Sequence, residues 1–298
     1  MTLVEAANLV SNGLIEGAVI ALPALALTLV MAIARFPNAA TGDLMTLGAY
    51  VAVGAQGLAS GAAAGPVFAL AFAAAAAVIA GALVSMVAYE LMFRRLGRAA
   101  MVASLLASIG LAFLIRSLIT LAAGTEQRTF DLPLTRAWNF GGVRLLPNDV
   151  AIAAVALAVL ALVFAWLRYG RSGRLLRAVA DNADLARLSG IRSHRLMWLL
   201  WALAGALAGL GGVLLGVKSV VMPELGWELL LPAFAAMVLG GIGSPAGAVA
   251  GALLMGVAQE LSVPVVGPTY KIAVAFAVMF IVLLIRPAGL FGRPELVR

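Results

Sequence analysis

The sequence predicts an all-α fold: a single polytopic bundle of transmembrane helices, some of them broken, spanning residues 1–298. Three observations predict it. Hydrophobic residues make up 64% of the chain and charged residues 11%, whereas a soluble domain is nearer half apolar and about a quarter charged. A bilayer core takes roughly 20 apolar residues per helical span, and the chain holds several such runs. Between the runs no stretch is long enough for a second folded domain.

The runs lie at about 9–34, 39–59, 66–93, 99–122, 150–167, 196–217, 229–261 and 270–285. The first basic residue is Arg35, so the positive n-region of a cleavable signal is missing. The opening segment is therefore expected to be the first span, ended or turned by Pro37. Asn38 and Thr41 can cap the next helix by accepting from its first amides. Asp43 then falls in the first turn, where the helix dipole favours a negative charge. That places Asp43 at the cytoplasmic boundary. The other reading sets the start of this helix in a recess of a transport pathway, lined by Asn38, Thr41 and Asp43.

Further along, RRLGR (94–98) separates the third and fourth runs. Glu90 and Arg94 stand at i, i+4, the spacing of a boundary ion pair. Arg116 is the one base well inside a run, placed to pair with an acid or to sit near the outer boundary. Among the acids, Glu16 is expected to snorkel to the outer surface and Glu260 to reach water. A polar stretch, 124–149, follows the fourth run. The 229–261 run is too long for one ordinary span, and GGIGSPAG (240–247) divides it. It reads as two shorter helices around a Gly/Pro bend, either crossing twice or re-entering. Glycine spacings such as Gly13/Gly17, Gly205/Gly209 and Gly243/Gly247/Gly251 suit close helix packing in lipid.

The basic stretch 168–195 carries seven arginines. Leu175, Leu176 and Val179 form one apolar ridge at helical spacing, and Leu185 and Leu188 form a second. Asp181 or Asn182 can cap a new helix, with Asp184 in its first turn, Arg187 later and Gly190 as its C-terminal glycine. A connection this long is usually functional. Such a helix can lie on lipid or insert into a groove of a partner. It has no Trp or Phe to anchor in headgroups, which favours a protein partner.

Arginine positions set the orientation. Fourteen of the twenty basic residues fall on one side: Arg35, Arg94, Arg95, Arg98, the seven of 168–195, Arg286, Arg293 and Arg298. Arg128, Arg136, Arg144, Lys218 and Lys271 fall on the other. The richer side is expected to be cytoplasmic, which leaves the N-terminus outside and the C-terminus inside. The +7 charge thus sits in loops and does not point to nucleic acid.

Composition also excludes chemistry. There is no cysteine and one histidine, His194, so thiolate chemistry and histidine metal clusters are ruled out. A phosphate-binding loop needs Gly-Lys followed by Ser or Thr, but Lys218 follows Val217 and Lys271 follows Tyr270. HExxH and GxSxG are absent as well. No enzymatic centre, metal site or cofactor is expected in this chain.

Four passages now carry a resemblance. They are NGLIEGAVIALPALALTLV with PNAATGDLMTLGAYVA, then GRLLRAVADNADLARLSGI, then GGIGSPAGAVAGALLMG, and finally RPAGLFG. In order and spacing they resemble the membrane permease subunits of branched-chain amino acid ABC importers, the Liv permease family, and look more like the H-type than the longer M-type subunit. The resemblance implies a type II ABC importer permease-like fold in a bacterial inner membrane. It implies that Asp181, Asn182, Asp184, Leu185, Arg187, Leu188 and Gly190 belong to a coupling helix docking on an ATP-hydrolysing subunit. It also implies that the helix of Asn38, Thr41 and Asp43, and the break at Gly240, Gly241, Gly243, Ser244 and Pro245, line or gate the pathway. The implied partners are an M-type permease, two ATPase subunits carrying ATP and Mg, a periplasmic substrate-binding protein meeting the outer loops, and membrane lipids. Substrates of the family extend from leucine, isoleucine and valine to other amino acids, amides and some aromatic acids. Two departures stand out: Glu16 at a usually uncharged position, and Asn-Ala-Ala-Thr where Asn-Phe-Ala-His is common. The alternative from another class is a proton-coupled secondary transporter of a small polar solute, with Glu16 or Asp43 as its titratable group.

Overall fold

The computed structural model describes residues 3–61, 65–96, 101–133, 135–140 and 142–292. Its helices are α1 (Leu3–Ala34), α2 (Ala40–Gly61), α3 (Pro66–Ala88), α4 (Arg94–Leu96), α5 (Met101–Ala123), α6 (Pro147–Tyr169), α7 (Arg171–Asp181), α8 (Ala183–Leu188), α9 (Ser193–Lys218), α10 (Leu225–Gly240), α11 (Pro245–Val266) and α12 (Lys271–Ile285). A π-helical turn, Tyr89–Phe93, joins α3 to α4 in one continuous rod. Among the described residues, seven helical stretches are long and apolar enough to cross a membrane. α2 is also long, but Thr41, Asp43, Thr46 and Gln56 lower its apolar content, and all four are buried.

α1 is the axis of the bundle. It packs on α11, α9, α10 and α6, and Ala18 through Leu27 are almost wholly buried. A helix apolar all round belongs in an interior, and this one is. Its other face meets glycines. Gly13 lies against Gly256 and Val257, and Gly17 against Ala252 and Leu253, so α1 and α11 run antiparallel at backbone contact. Gly205 and Gly209 meet Ala77, Gly81 and Ser85 of α3, and Gly247 and Gly251 meet Gly240 and Ala236 of α10. These small-residue faces therefore serve packing within one bundle. Gly243 is not part of such a face: nothing lies near its missing Cβ, and its φ of +84° marks it as part of the turn.

Several boundaries differ from the sequence reading. α1 starts at Leu3, not near residue 9: Glu5 and Asn8 interrupt the apolar pattern of its largely exposed first turns without ending the helix. It ends at Ala34 through Arg35, whose φ is +61°, so the left-handed turn precedes Pro37. Phe36 then drops into an aromatic cluster, 5.2 Å from Phe93 and 6.2 Å from Trp201 between ring centres. The polar stretch 124–149 contains an antiparallel pair of short strands, β1 (Trp138–Phe140) and β2 (Val143–Leu145). The fold class remains all-α, and three residues per strand are too few to show a period of two in the sequence. The same stretch is tied down elsewhere. Arg128 pairs with Val221 through two backbone bonds. Gln56 donates to the Asp131 carbonyl at 2.8 Å and accepts from its amide at 3.1 Å.

The long run does divide at the GGIGSPAG bend. α10 ends at Gly241 with φ +105°, and the Ser244 hydroxyl accepts from the Gly247 amide at 3.1 Å to start α11, with Pro245 in its first turn. RPAGLFG then folds back over the end of α10. The Leu290 and Phe291 amides donate to the carbonyls of Leu239 and Gly240, at 2.9 and 3.0 Å. Those carbonyls would otherwise be orphans of the helix end. Of the basic residues used for the orientation, Arg98, Arg293 and Arg298 lie outside the described residues.

A Cβ at Gly212 would collide with the backbone carbonyl of Met45, whereas Gly54 has open space around it. Gly212→Val is expected to cost about 1–3 kcal/mol or more through forced separation of α2 and α9. The thermal midpoint of the purified protein should fall for that variant and not for Gly54→Ala.

Candidate functional site

The stretch 168–195 folds as two helices, and each ridge has its own fate. Leu176 and Val179 of α7 are buried against the bundle, with Leu175 partly so. α7 touches α6, α9 and α1 and forms the foundation for α8. Asn182, not Asp181, is the cap: its Oδ1 accepts from the amides of Asp184 at 3.1 Å and Leu185 at 3.0 Å. Asp181 is instead the last residue of α7. Asp184 and Arg187 stand 3.9 Å apart on the exposed side of α8. Gly190 has φ +77° and closes the helix. Ala186 points inward and is buried, while Leu185 and Leu188 are 62% and 86% exposed. A leucine pair held outward on a packed base is a knob without a socket in this chain.

Behind α8 lies a cavity of about 290 Å³ that the sequence did not announce. Phe36, Tyr89, Phe93 and Trp201 wall it, with Arg94, Arg187 and His194 at its polar side. These residues come from the connection after α1, the π-helical turn, α4, α8 and α9, and no local spacing links them. Glu90 pairs with Arg94, as its i, i+4 position predicted. It also accepts from Trp198 Nε1 at 2.9 Å.

The two groups assigned to a pathway or gate stand apart. Thr41 and Asp43 lie in the turn of α2 that packs on the start of α10, with Asn38 just before it: Gly42 packs on Gly226 and Leu230, and the Gly226 amide donates to Thr46 Oγ1 at 3.0 Å. Gly240, Gly241, Gly243, Ser244 and Pro245 form the opposite end of α10 and the turn beyond it. Asn38 does accept from the Ala40 amide, at 3.2 Å. Thr41 does not cap; its hydroxyl donates to the Asn38 carbonyl at 2.8 Å, because one residue into the helix it can reach only backwards.

Asp43 requires the larger correction. It is wholly buried, and Arg116 of α5 donates to it from Nε at 2.9 Å and from Nη2 at 3.3 Å. Arg116 lies about 22 Å along α5 from Met101 at 1.5 Å per residue. Asp43 therefore does not sit at the cytoplasmic boundary. Its helix begins deep in the bundle, because the chain returns from Arg35 through buried Phe36 and Asn38 before α2 starts. The guanidinium carbon also stands 5.3 Å from the Trp227 ring centre and 5.6 Å from that of Phe113.

Glu16 keeps 26% of its side-chain surface open and Glu260 11%, and each is paired with lysine. Lys218 donates to Glu16 at 3.1 Å, and Lys271 lies 3.9 Å from Glu16 and pairs with Glu260. Both lysines of the chain thus close one cluster of four charges that ties α1 to the ends of α9, α11 and α12. Partners more than 200 residues apart cannot be paired from spacing.

Comparison with known proteins shows the family of this chain. The family described as "Branched-chain amino acid transport system / permease component" covers residues 9–283. The high-affinity branched-chain amino acid transport system permease protein BraD of Pseudomonas aeruginosa is 33% identical over 293 residues, 95% of each chain. The permease protein LivH of Escherichia coli is 46% identical over 91 residues, 30% of each chain. Among solved structures, PsaBC from Streptococcus pneumoniae in complex with Fab covers 93% of this chain and 92% of its own, with 16% identity and a TM-score of 0.44. With the family spanning nearly the whole bundle, and a full-length relative at one-third identity, this multi-pass membrane chain belongs to the permease components of branched-chain amino acid transport systems.

Proposed function

We propose that this chain is the H-type pore-forming subunit of an ABC importer for branched-chain or related amino acids. The pore lies between it and an M-type permease. ATP and Mg are bound by two separate ATPase subunits, and a periplasmic binding protein delivers the cargo to the outer loops. α8 is the coupling element. The observation that carries this reading is the build of α8: a capped turn on a buried base, with Leu185 and Leu188 facing outward. Side chains that size, left exposed, suit insertion into a groove of a partner helix layer. Family membership supports the same reading, since permease components work with ATP-hydrolysing partners. The bilayer is the bacterial inner membrane, with the N-terminus outside and the C-terminus in the cytoplasm.

Three outcomes test it. Leu185→Asp or Leu188→Asp should abolish cargo-stimulated ATP hydrolysis or release the ATPase subunits from the purified complex, with the permease still folded by its thermal midpoint. Full stimulation in either variant would refute the coupling role. Asn182→Ala removes the cap and is expected to destabilise α8 by about 0.5–2 kcal/mol, visible as faster amide exchange over residues 183–188. The chain has no native cysteine, so orientation can be read from single introduced ones. Tyr169→Cys should react with an impermeant maleimide only in inside-out vesicles, and Arg136→Cys only in right-side-out vesicles.

A further inference from the structure

The Asp43–Arg116 pair holds an asymmetry that packing alone does not explain. Asp43 is fully buried, while the Arg116 side chain keeps 20% of its surface open. The carboxylate is the back of the pair and the guanidinium its accessible front. Asp43 engages Nε and Nη2, so Nη1 is turned to the other end of the fork. A guanidinium carries five N–H donors in a fixed plane, and that plane matches a second carboxylate as well as the first. An open cation this far along a spanning helix is costly against hydrocarbon. The face it occupies is therefore bordered by protein or by a wet path.

Its surroundings match a zwitterion with an apolar side chain. Trp227 and Phe113 flank the guanidinium, and both rings are partly open, at 38% and 57%. Two turns along the same face of α2 stands Tyr50. It is 9% exposed, and its hydroxyl has no hydrogen-bond partner among the described residues. A buried unmatched hydroxyl needs an explanation. Glu224, the residue before α10, stands two residues from Gly226, which packs on Gly42 beside Asp43. A guanidinium for one end, a carboxylate and a hydroxyl for the other, and two rings beside them make a cradle for an α-amino acid.

We propose that Arg116, held by Asp43, is the point at which the pathway binds the carboxylate of its cargo, with Trp227 and Phe113 against the side chain and Glu224 and Tyr50 toward the ammonium group. This rests on the reading that the chain conducts an amino acid. Asp43 acts as a positioning residue: it fixes the plane of the fork and balances its charge when no cargo is present.

The test uses the complete complex, both permeases with ATPases and binding protein, in proteoliposomes loaded with ATP, and follows uptake of radiolabelled leucine. The double variant Asp43→Asn/Arg116→Gln leaves no lone buried charge. It is expected to assemble with its thermal midpoint kept, and to lose uptake by tenfold or more. An assembled, stable double variant importing at the wild-type rate would show that the pair only holds the bundle together. Arg116→Lys supplies a second reading should the double variant fail to assemble. It keeps the ion pair but not the fork, and uptake should fall at least fivefold; uptake unchanged overturns the proposal. A wild-type complex that imports no amino acid with ATP and binding protein present would instead overturn the function on which the proposal stands.

Discussion

Helices in lipid gain nothing from hiding apolar surface from one another, since the lipid tails are as apolar as leucine. Association then rests on how closely backbones can approach. In this chain that constraint is met by glycine at nearly every central crossing: Gly13 and Gly17 on α11, Gly48 and Gly212 between α2 and α9, Gly81 and Gly205 between α3 and α9, Gly42 and Gly226 between α2 and α10. α1 can be apolar all round because it is enclosed by neighbours at this spacing. Everything polar in the interior is then positioned by crossings too tight to slide.

That rigidity is what makes the deep ion pair tolerable. A lone Asp43 inside the bundle would be expensive, and removing one partner of a buried pair typically costs on the order of 3–5 kcal/mol. Gly42 fixes the first turn of α2 against α10 on one side, and α5 brings Arg116 on the other. The other charges lie nearer the ends. Lys218 and Lys271 join Glu16 and Glu260 at one end, while Glu90, Arg94 and His194 gather near α8 at the other. The Asp43–Arg116 pair thus lies deep, while the ends carry networks that tie separate helices together.

The two ends also differ in their backbone. On the side of 124–149, strands and side-chain amides stitch loop to helix, as Gln56 does with Asp131. Around α10 and α11 the tail 286–292 takes up helix-end carbonyls through backbone amides alone. Residues of RPAGLFG therefore carry a structural duty besides any role in transport. α8 is different again: its own cap and its glycine fix its shape, and α7 supports it, so Leu185 and Leu188 are left exposed on its outer face.

Much of this was determined by the sequence alone. The apolar runs, the arginine asymmetry, the GGIGSPAG division and the outline of α8 are local facts, carried by residues adjacent in the chain. Glu90 with Arg94 belongs to the same class, since helical pitch joins i to i+4. What only the tertiary structure decided involves residues far apart. Asp43 meets Arg116, Lys271 meets Glu16, and Phe36 meets Phe93 and Trp201, through crossings that no spacing encodes. Asp43 looked like a boundary residue because a first-turn acid usually is one. The depth at which α2 begins depends on the buried return of the chain after Arg35, and that return is fixed by the helices around it.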